Sequence, residues 1–200
     1  MMRLRLLLLG SMLLLGSVAI GMRGGLHASP AFASQDSSAV PSAASVVKTH
    51  TFVSLERVPR GREFQIAVVL EIARGYHMNS HQPTDAYLIP TALTLQLPTG
   101  FELEDTIYPK GQLEKFAFSP NHALDVYSGS VTLLLRLEAH ADAPLGETEI
   151  PIMLRYQACN DNVCLPPVKM PVSAKLEVAN KGTAAREVHP EIFSRLVPTH

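Results

Sequence analysis

The sequence predicts an all-β fold, an immunoglobulin-like antiparallel β-sandwich, and three observations carry that expectation. Apolar residues recur at every second position, most clearly at Phe64, Ile66, Val68, Leu70 and Ile72, the period of a strand with one buried face. Turn-forming residues break the chain at Leu97-Pro98-Thr99-Gly100, Tyr127-Ser128-Gly129 and Ala143-Pro144-Leu145-Gly146, where Pro or Gly beside polar neighbours suits tight reversals. Helical periodicity is absent across the same region, and about seven or eight short strands at such spacing suit two packed sheets.

Taken in order, Arg3 and Arg5 precede an apolar run from Leu6 to Ile20 and the small-residue sequence Ala31-Phe32-Ala33. This is the layout of a cleaved secretory signal over residues 1-33. A retained membrane anchor is the alternative, but the run is short and broken by Gly10, Gly16 and Gly21, and no cysteine near the cleavage point offers a site for lipid. Residues 34-45 are mostly Ser, Ala and Pro, a flexible lead-in with little to bury. The folded domain is expected over 46-179, with strands at Val47 to Leu55, Phe64 to Ile72, Thr91 to Leu97, Phe101 to Tyr108, Val131 to Ala139, Thr148 to Tyr156 and Val168 to Val178. Polar residues such as Gln65 and Glu71 would face outward. The tail, 180-200, is polar, and Pro190 to Leu196 could form one helical turn at most.

Charge and length exclude several functions. Loss of the signal takes away 33 of 200 residues and Arg3, Arg5 and Arg23, leaving 167 residues with 14 basic against 18 acidic side chains, a formal net charge of −4. Nucleic acid is therefore not an expected partner. No later apolar stretch is long enough to span a bilayer, so an electron source across the membrane has to be another protein. Export also fixes the redox compartment, a periplasm or the outside of the cell, where disulfides persist.

Cys159 and Cys164 are the only cysteines, in Tyr156-Gln157-Ala158-Cys159-Asn160-Asp161-Asn162-Val163-Cys164-Leu165-Pro166-Pro167. Turn-forming Asn160, Asp161 and Asn162 let two thiols so close in sequence form a bridge without reshaping the fold. As a staple such a bridge does little, since closing about six residues stabilises by only about 2 kcal/mol in the chain-entropy model. Read from the residues alone, a reactive pair, a structural staple and a metal site all stay open.

The segment Tyr156 to Pro167 resembles the active-site hairpin of the N-terminal periplasmic domain of the DsbD family of thiol/disulfide interchange proteins. Tyr-Gln, a small residue, Cys, a short polar turn, a second Cys and Pro-Pro follow that family's pattern. Gly75-Tyr76-His77-Met78-Asn79-Ser80 is similar to the strand beside that site, and Ile107-Tyr108-Pro109-Lys110 falls where the family has its cap loop. The resemblance spans roughly Val46 to Val178. Four residues separate the cysteines, one fewer than in the enterobacterial form, and Ile107 takes the place of the shielding aromatic.

The resemblance implies dithiol/disulfide exchange of a protein-disulfide reductase type without a cofactor, and makes the expected location periplasmic. Cys164 would be the partner-facing sulfur and Cys159 the resolving one, with Ile107 and Tyr108 as cover and Tyr76, His77, Tyr156 and Asp161 flanking the site. Asp161 would raise a thiol pKa and Lys169 would lower it. The implied partners are a thioredoxin-like electron donor or a CcdA/DsbD-like membrane partner, and oxidised periplasmic client proteins, with the chain acting as a stand-alone monomeric relay.

Two rivals are kept. One is a non-catalytic β-sandwich that binds a protein partner and uses the bridge as a staple. The other is a periplasmic copper-handling module built on His77, Met78 and His81. In an extended segment, residues four apart share a face at about 13 Å, too far for one ion without a bend. No metal is therefore assigned. Glu102, Glu104 and Asp105 read as a solvated strand edge.

Overall fold

The structure, a computed structural model, describes residues 41–194. The expected signal over 1-33 lies outside the described residues, as do 34–40 of the lead-in and 195–200 of the tail. In chain order the strands are β1 (Val47–Val53), β2 (Val58–Pro59), β3 (Arg62–Ile72), β4 (His77–Asn79), β5 (Ala92–Leu95), β6 (Phe101–Ile107), β7 (Gln112–Phe116), β8 (Ser119–Ser128), β9 (Ser130–Ala139), β10 (Gly146–Tyr156), β11 (Ala158–Cys159) and β12 (Val168–Ala179). They build an immunoglobulin-like β-sandwich.

One sheet runs β1-β3-β9-β6 and the facing sheet β2-β12-β10-β5. All pairings are antiparallel except the two-residue contact of β2 with β12. The first sheet buries a row in which each cross-strand pair is apolar: Phe64 with Leu137, Ile66 with Leu135, Val68 with Leu133, Leu70 with Val131. The second answers with Ile150, Ile152 and Leu154 of β10 and Ala174, Leu176 and Val178 of β12, all in one core. Each large side chain so buried contributes on the order of 1.5–3 kcal/mol, set against a chain-ordering cost of similar total size. The sheets are tied at one edge, where the Thr51 hydroxyl donates to the Ser173 carbonyl at 2.9 Å. Gly100, at φ +83°, leaves no room for a side chain, because a Cβ there would stand 2.4 Å from the Ala143 backbone.

A third sheet, β11-β4-β8-β7, carries the cysteines. β4 and β11 fall within the strand and hairpin segments that the resemblance implied, 75–80 and 156–167, whereas β7 and β8 were not among the expected strands. His77 to His81 was expected to be extended. Only His77–Asn79 is strand; the chain bends at His81.

Both ends of the expected domain move outward. Ala43–Ser45, assigned to the flexible lead-in, forms a 3-10 turn whose Ala43 is buried. The expected polar tail packs back on the body: Val188 N–H donates to the Ser54 carbonyl at 2.9 Å, and a single turn α1 (Pro190–Phe193) sets Phe193 against Ala67 and Leu134. Ala67 and Leu134 are the reason. They make the outer face of the first sheet apolar at its centre, and something must cover them.

Candidate functional site

The site begins where β10 ends. Tyr156 is fully buried, its hydroxyl donates to the Ala43 carbonyl at 2.8 Å, and burial pushes its pKa up to about 12. It is a fixed post. The Gln157 side-chain amide then donates to the Leu165 carbonyl at 3.2 Å, holding the returning strand. Leu165 N–H donates to the Ala158 carbonyl at 2.8 Å, and Asn160 N–H to the Val163 carbonyl at 2.9 Å. Cys159 and Cys164 therefore oppose each other between two hydrogen-bonded positions, the pairing in which antiparallel side chains come closest. Their Cα atoms are 3.9 Å apart and the sulfurs are bonded.

Asn160 shapes the turn. Its Oδ1 accepts the N–H groups of Asn162 and Val163, both at 2.9 Å, so a side-chain oxygen does the work of a backbone carbonyl. The two cysteines end up in unlike surroundings. Cys159 is 1 % exposed, whereas Cys164 is exposed and lines a groove with Tyr87, Leu88, Phe118, His122 and Leu124. Phe118 is 44 % and Tyr87 77 % exposed.

Register sets the next layer. Cys159 pairs with His77, and His77 pairs with Ser128 across β4 and β8. Directly opposed residues share a face, so Cys159, His77 and Ser128 form one row while Ala158, Met78 and Tyr127 point the other way into the main core. The His77 ring stacks on Phe116 at 4.0 Å between centroids, and Phe116 stacks on Phe118 at 5.3 Å. Leu124, Val126 and Leu88 complete a small apolar cluster around Phe116. Glu114 accepts a hydrogen bond from the Ser128 hydroxyl at 3.0 Å. Burial holds the His77 pKa below its ordinary value, while the charges of Glu114 and Asp161 act in the opposite direction.

The structure brings Cys159, Cys164, His77, Tyr156 and Asp161 to one end of the sandwich, with Asp161 exposed in the turn. Tyr76 is half-buried against the main core. The expected cover at Ile107 and Tyr108 is elsewhere. Ile107 pairs with Leu134 on the first sheet and packs with the Phe52, Ala67 and Phe193 cluster. Tyr108 stacks on His81 at 3.6 Å, and its hydroxyl accepts from Leu93 N–H at 2.9 Å. The aromatics beside Cys164 and His77 are Phe118 and Phe116 of the β7–β8 hairpin.

The residues considered for copper do not converge. His77 and Met78 face opposite sides of β4, and His81 is engaged by Tyr108 and, through Nδ1, by the Thr91 carbonyl at 2.9 Å. Among the described residues no group of three His, Cys, Asp or Glu side chains could hold a metal ion. No described helix is long and apolar enough to cross a membrane. Lys169 stands opposite Arg155 on β12.

The family model for the thiol:disulfide interchange protein DsbD, N-terminal, matches residues 43–175. The chain belongs to the DsbD N-terminal family. The match begins at Ala43, the residue that Tyr156 holds. The reduced-form DsbD N-terminal domain of Neisseria meningitidis is similar at 18 % identity and a TM-score of 0.37, over 70 % of this chain and 90 % of that one. The N-terminal periplasmic domain of ScsB from Proteus mirabilis is similar at 14 % identity and a TM-score of 0.45, over 66 % of this chain and 46 % of that one. No curated protein matches. Membership in the DsbD N-terminal family, with a bonded cysteine pair, makes thiol/disulfide exchange the general chemistry of this site.

Reading by residue type missed Phe116, Phe118 and Glu114, and gave Gln157 no structural role, whereas the turn-forming role expected of Asn160 is the one it has. Two aromatics on either side of Ala117, in a stretch from Lys110 to His122 where Leu113 is the other large apolar side chain, were the available signal.

Proposed function

We propose that the chain is a periplasmic relay that passes electrons from a thioredoxin-like donor, or a CcdA/DsbD-like membrane partner, to oxidised periplasmic proteins through Cys159 and Cys164. The unequal exposure of the two sulfurs carries this reading. An incoming thiolate reaches Cys164 from the groove and attacks its Sγ; a mixed disulfide forms, and the electron pair of the broken bond leaves on Cys159. The donor's second thiol then releases the reduced pair, which hands both electrons to a client disulfide by the same two steps. A staple would have no need of an exposed sulfur set in a groove.

Phe118 and Phe116 take the shielding role first expected of Ile107 and Tyr108. Phe116 ends β7 against His77, and Phe118, in the two-residue turn that follows, lines the groove with Cys164; together they limit access until a partner displaces them.

Trapping tests the relay. In cells, Cys159→Ala should accumulate mixed disulfides through Cys164, seen as bands that shift on reduction, and the wild-type pair should become more oxidised when the thiol-reducing machinery is removed. A pair that stays fully oxidised whatever the state of that machinery, with no trapped species, returns the bridge to a staple.

A further inference from the structure

His77 has a position that its packing alone does not use. It is 4 % exposed, directly opposite Cys159 in register, and on the same face of the same sheet. Opposed residues in an antiparallel pair have Cβ atoms about 4.5–5.5 Å apart, which an imidazole and a thiol can span. The ring is held by Phe116 on one side, so its orientation does not depend on solvent.

The exchange reaction leaves a chemical need at that point. After Cys164 of the reduced chain has attacked a client disulfide, the Cys159 thiol must lose a proton before it can close the ring. Cys159 is buried, and burial disfavours the thiolate. Water reaches it poorly, and so does any dissolved base. We propose that His77 is the proton acceptor for Cys159 in this resolving step, an inference that rests on the relay reading above.

The step balances as follows. The Cys159 S–H proton passes to the neutral His77 ring; the Cys159 thiolate attacks Sγ of Cys164, and the intramolecular S–S bond forms as the mixed disulfide breaks. The client sulfur departs with the electron pair and takes the proton from the imidazolium. The dithiol is oxidised, and the client disulfide has gained two electrons and two protons. A histidine that rests neutral is ready to accept, and burial keeps it neutral. The charged groups that act on the ring are Glu114 of β7 and Asp161 of the cysteine turn. Both are anionic and favour the imidazolium once it has formed, and the Ser128 hydroxyl fixes Glu114. General base catalysis of this kind is worth about 10²–10⁴-fold.

The test uses the reduced full chain and oxidised glutathione as the probe disulfide, with acid-quenched alkylation separating formation of the mixed disulfide from its resolution. His77→Phe keeps a ring to stack on Phe116 but cannot take a proton; His77→Gln keeps polarity without basicity and serves if the first variant folds poorly. The expected result is an unchanged rate of glutathione attachment at Cys164 and a resolution rate at least about a hundredfold slower at pH 7. That deficit should shrink about tenfold per pH unit as pH rises toward the thiol's own titration, which burial raises. Resolution at the wild-type rate with the wild-type pH profile in either folded variant overturns the role and leaves His77 as packing. Failure of the wild type itself to form the mixed disulfide removes the relay reading, and the proton acceptor with it.

Discussion

The two-sheet body and the small third sheet are built from the same kind of strand and spend it differently. Along β3 and β9 each inward row is apolar against apolar, as in Ile66 with Leu135. Along β11, β4 and β8 one face does the same with Ala158, Met78 and Tyr127, while the other carries Cys159, His77 and Ser128. The body places its side chains for burial alone. The third sheet anchors one face in that body so that the other can hold reactive groups at fixed spacing.

Three changes would break or sharpen that contrast. The largest effect belongs to the body: Ile66→Ala removes a side chain with no exposure and should cost about 2–5 kcal/mol. Chemical denaturation should show that loss whether the cysteines are oxidised or reduced, while the folded fraction keeps its exchange rate. Equal damage to exchange would mean that body and site are not separable. A smaller effect is expected at the hairpin tip. Phe118→Ala should leave the unfolding midpoint almost unchanged yet speed reduction of the disulfide by dithiothreitol roughly fivefold, the rate equivalent of a cover worth about 1 kcal/mol. An unaltered rate would show that Phe118 shields nothing.

The smallest effect is on stability against pH. The folded state holds the His77 pKa below its unfolded value near about 6.5, so the unfolded chain binds more protons just below that pH. Stability from this residue is complete above about 6.5 and is lost as pH falls from there toward the folded value. His77→Phe should therefore flatten the decline of stability between neutral and mildly acidic pH, measured as the denaturation midpoint at each pH.

The same contrast explains what could be read from the sequence. In the body, long strands with a strict period of two were legible: Phe64 to Ile72 is β3 less its first two residues, and Val131 to Ala139 is β9 less one. At the site the strands β4 and β11 are three and two residues long, too short for any period to show. Cys159 and Cys164 were legible through their spacing and flanks, and Tyr156 was noticed for its neighbours rather than its buried hydroxyl. The cover was expected at Ile107 and Tyr108 because Ile107-Tyr108-Pro109-Lys110 falls where the resembled family has its cap loop. The groups beside the sulfurs come instead from a hairpin whose two-residue turn, Ala117 and Phe118, holds neither Gly nor Pro to announce it.

Tyr156 has a consequence for the order of assembly. Its hydroxyl reaches the Ala43 carbonyl across 113 positions of sequence, and contacts so distant in the chain form late because the intervening loop must first be closed. The foot of the cysteine hairpin is thus bolted to the start of the described domain. A growing chain has Ala43 and the strands of the first sheet well before it has Tyr156, the foot itself. Its two thiols come into register only when nearly the whole domain is present, which delays their oxidation until there is a finished body to support them.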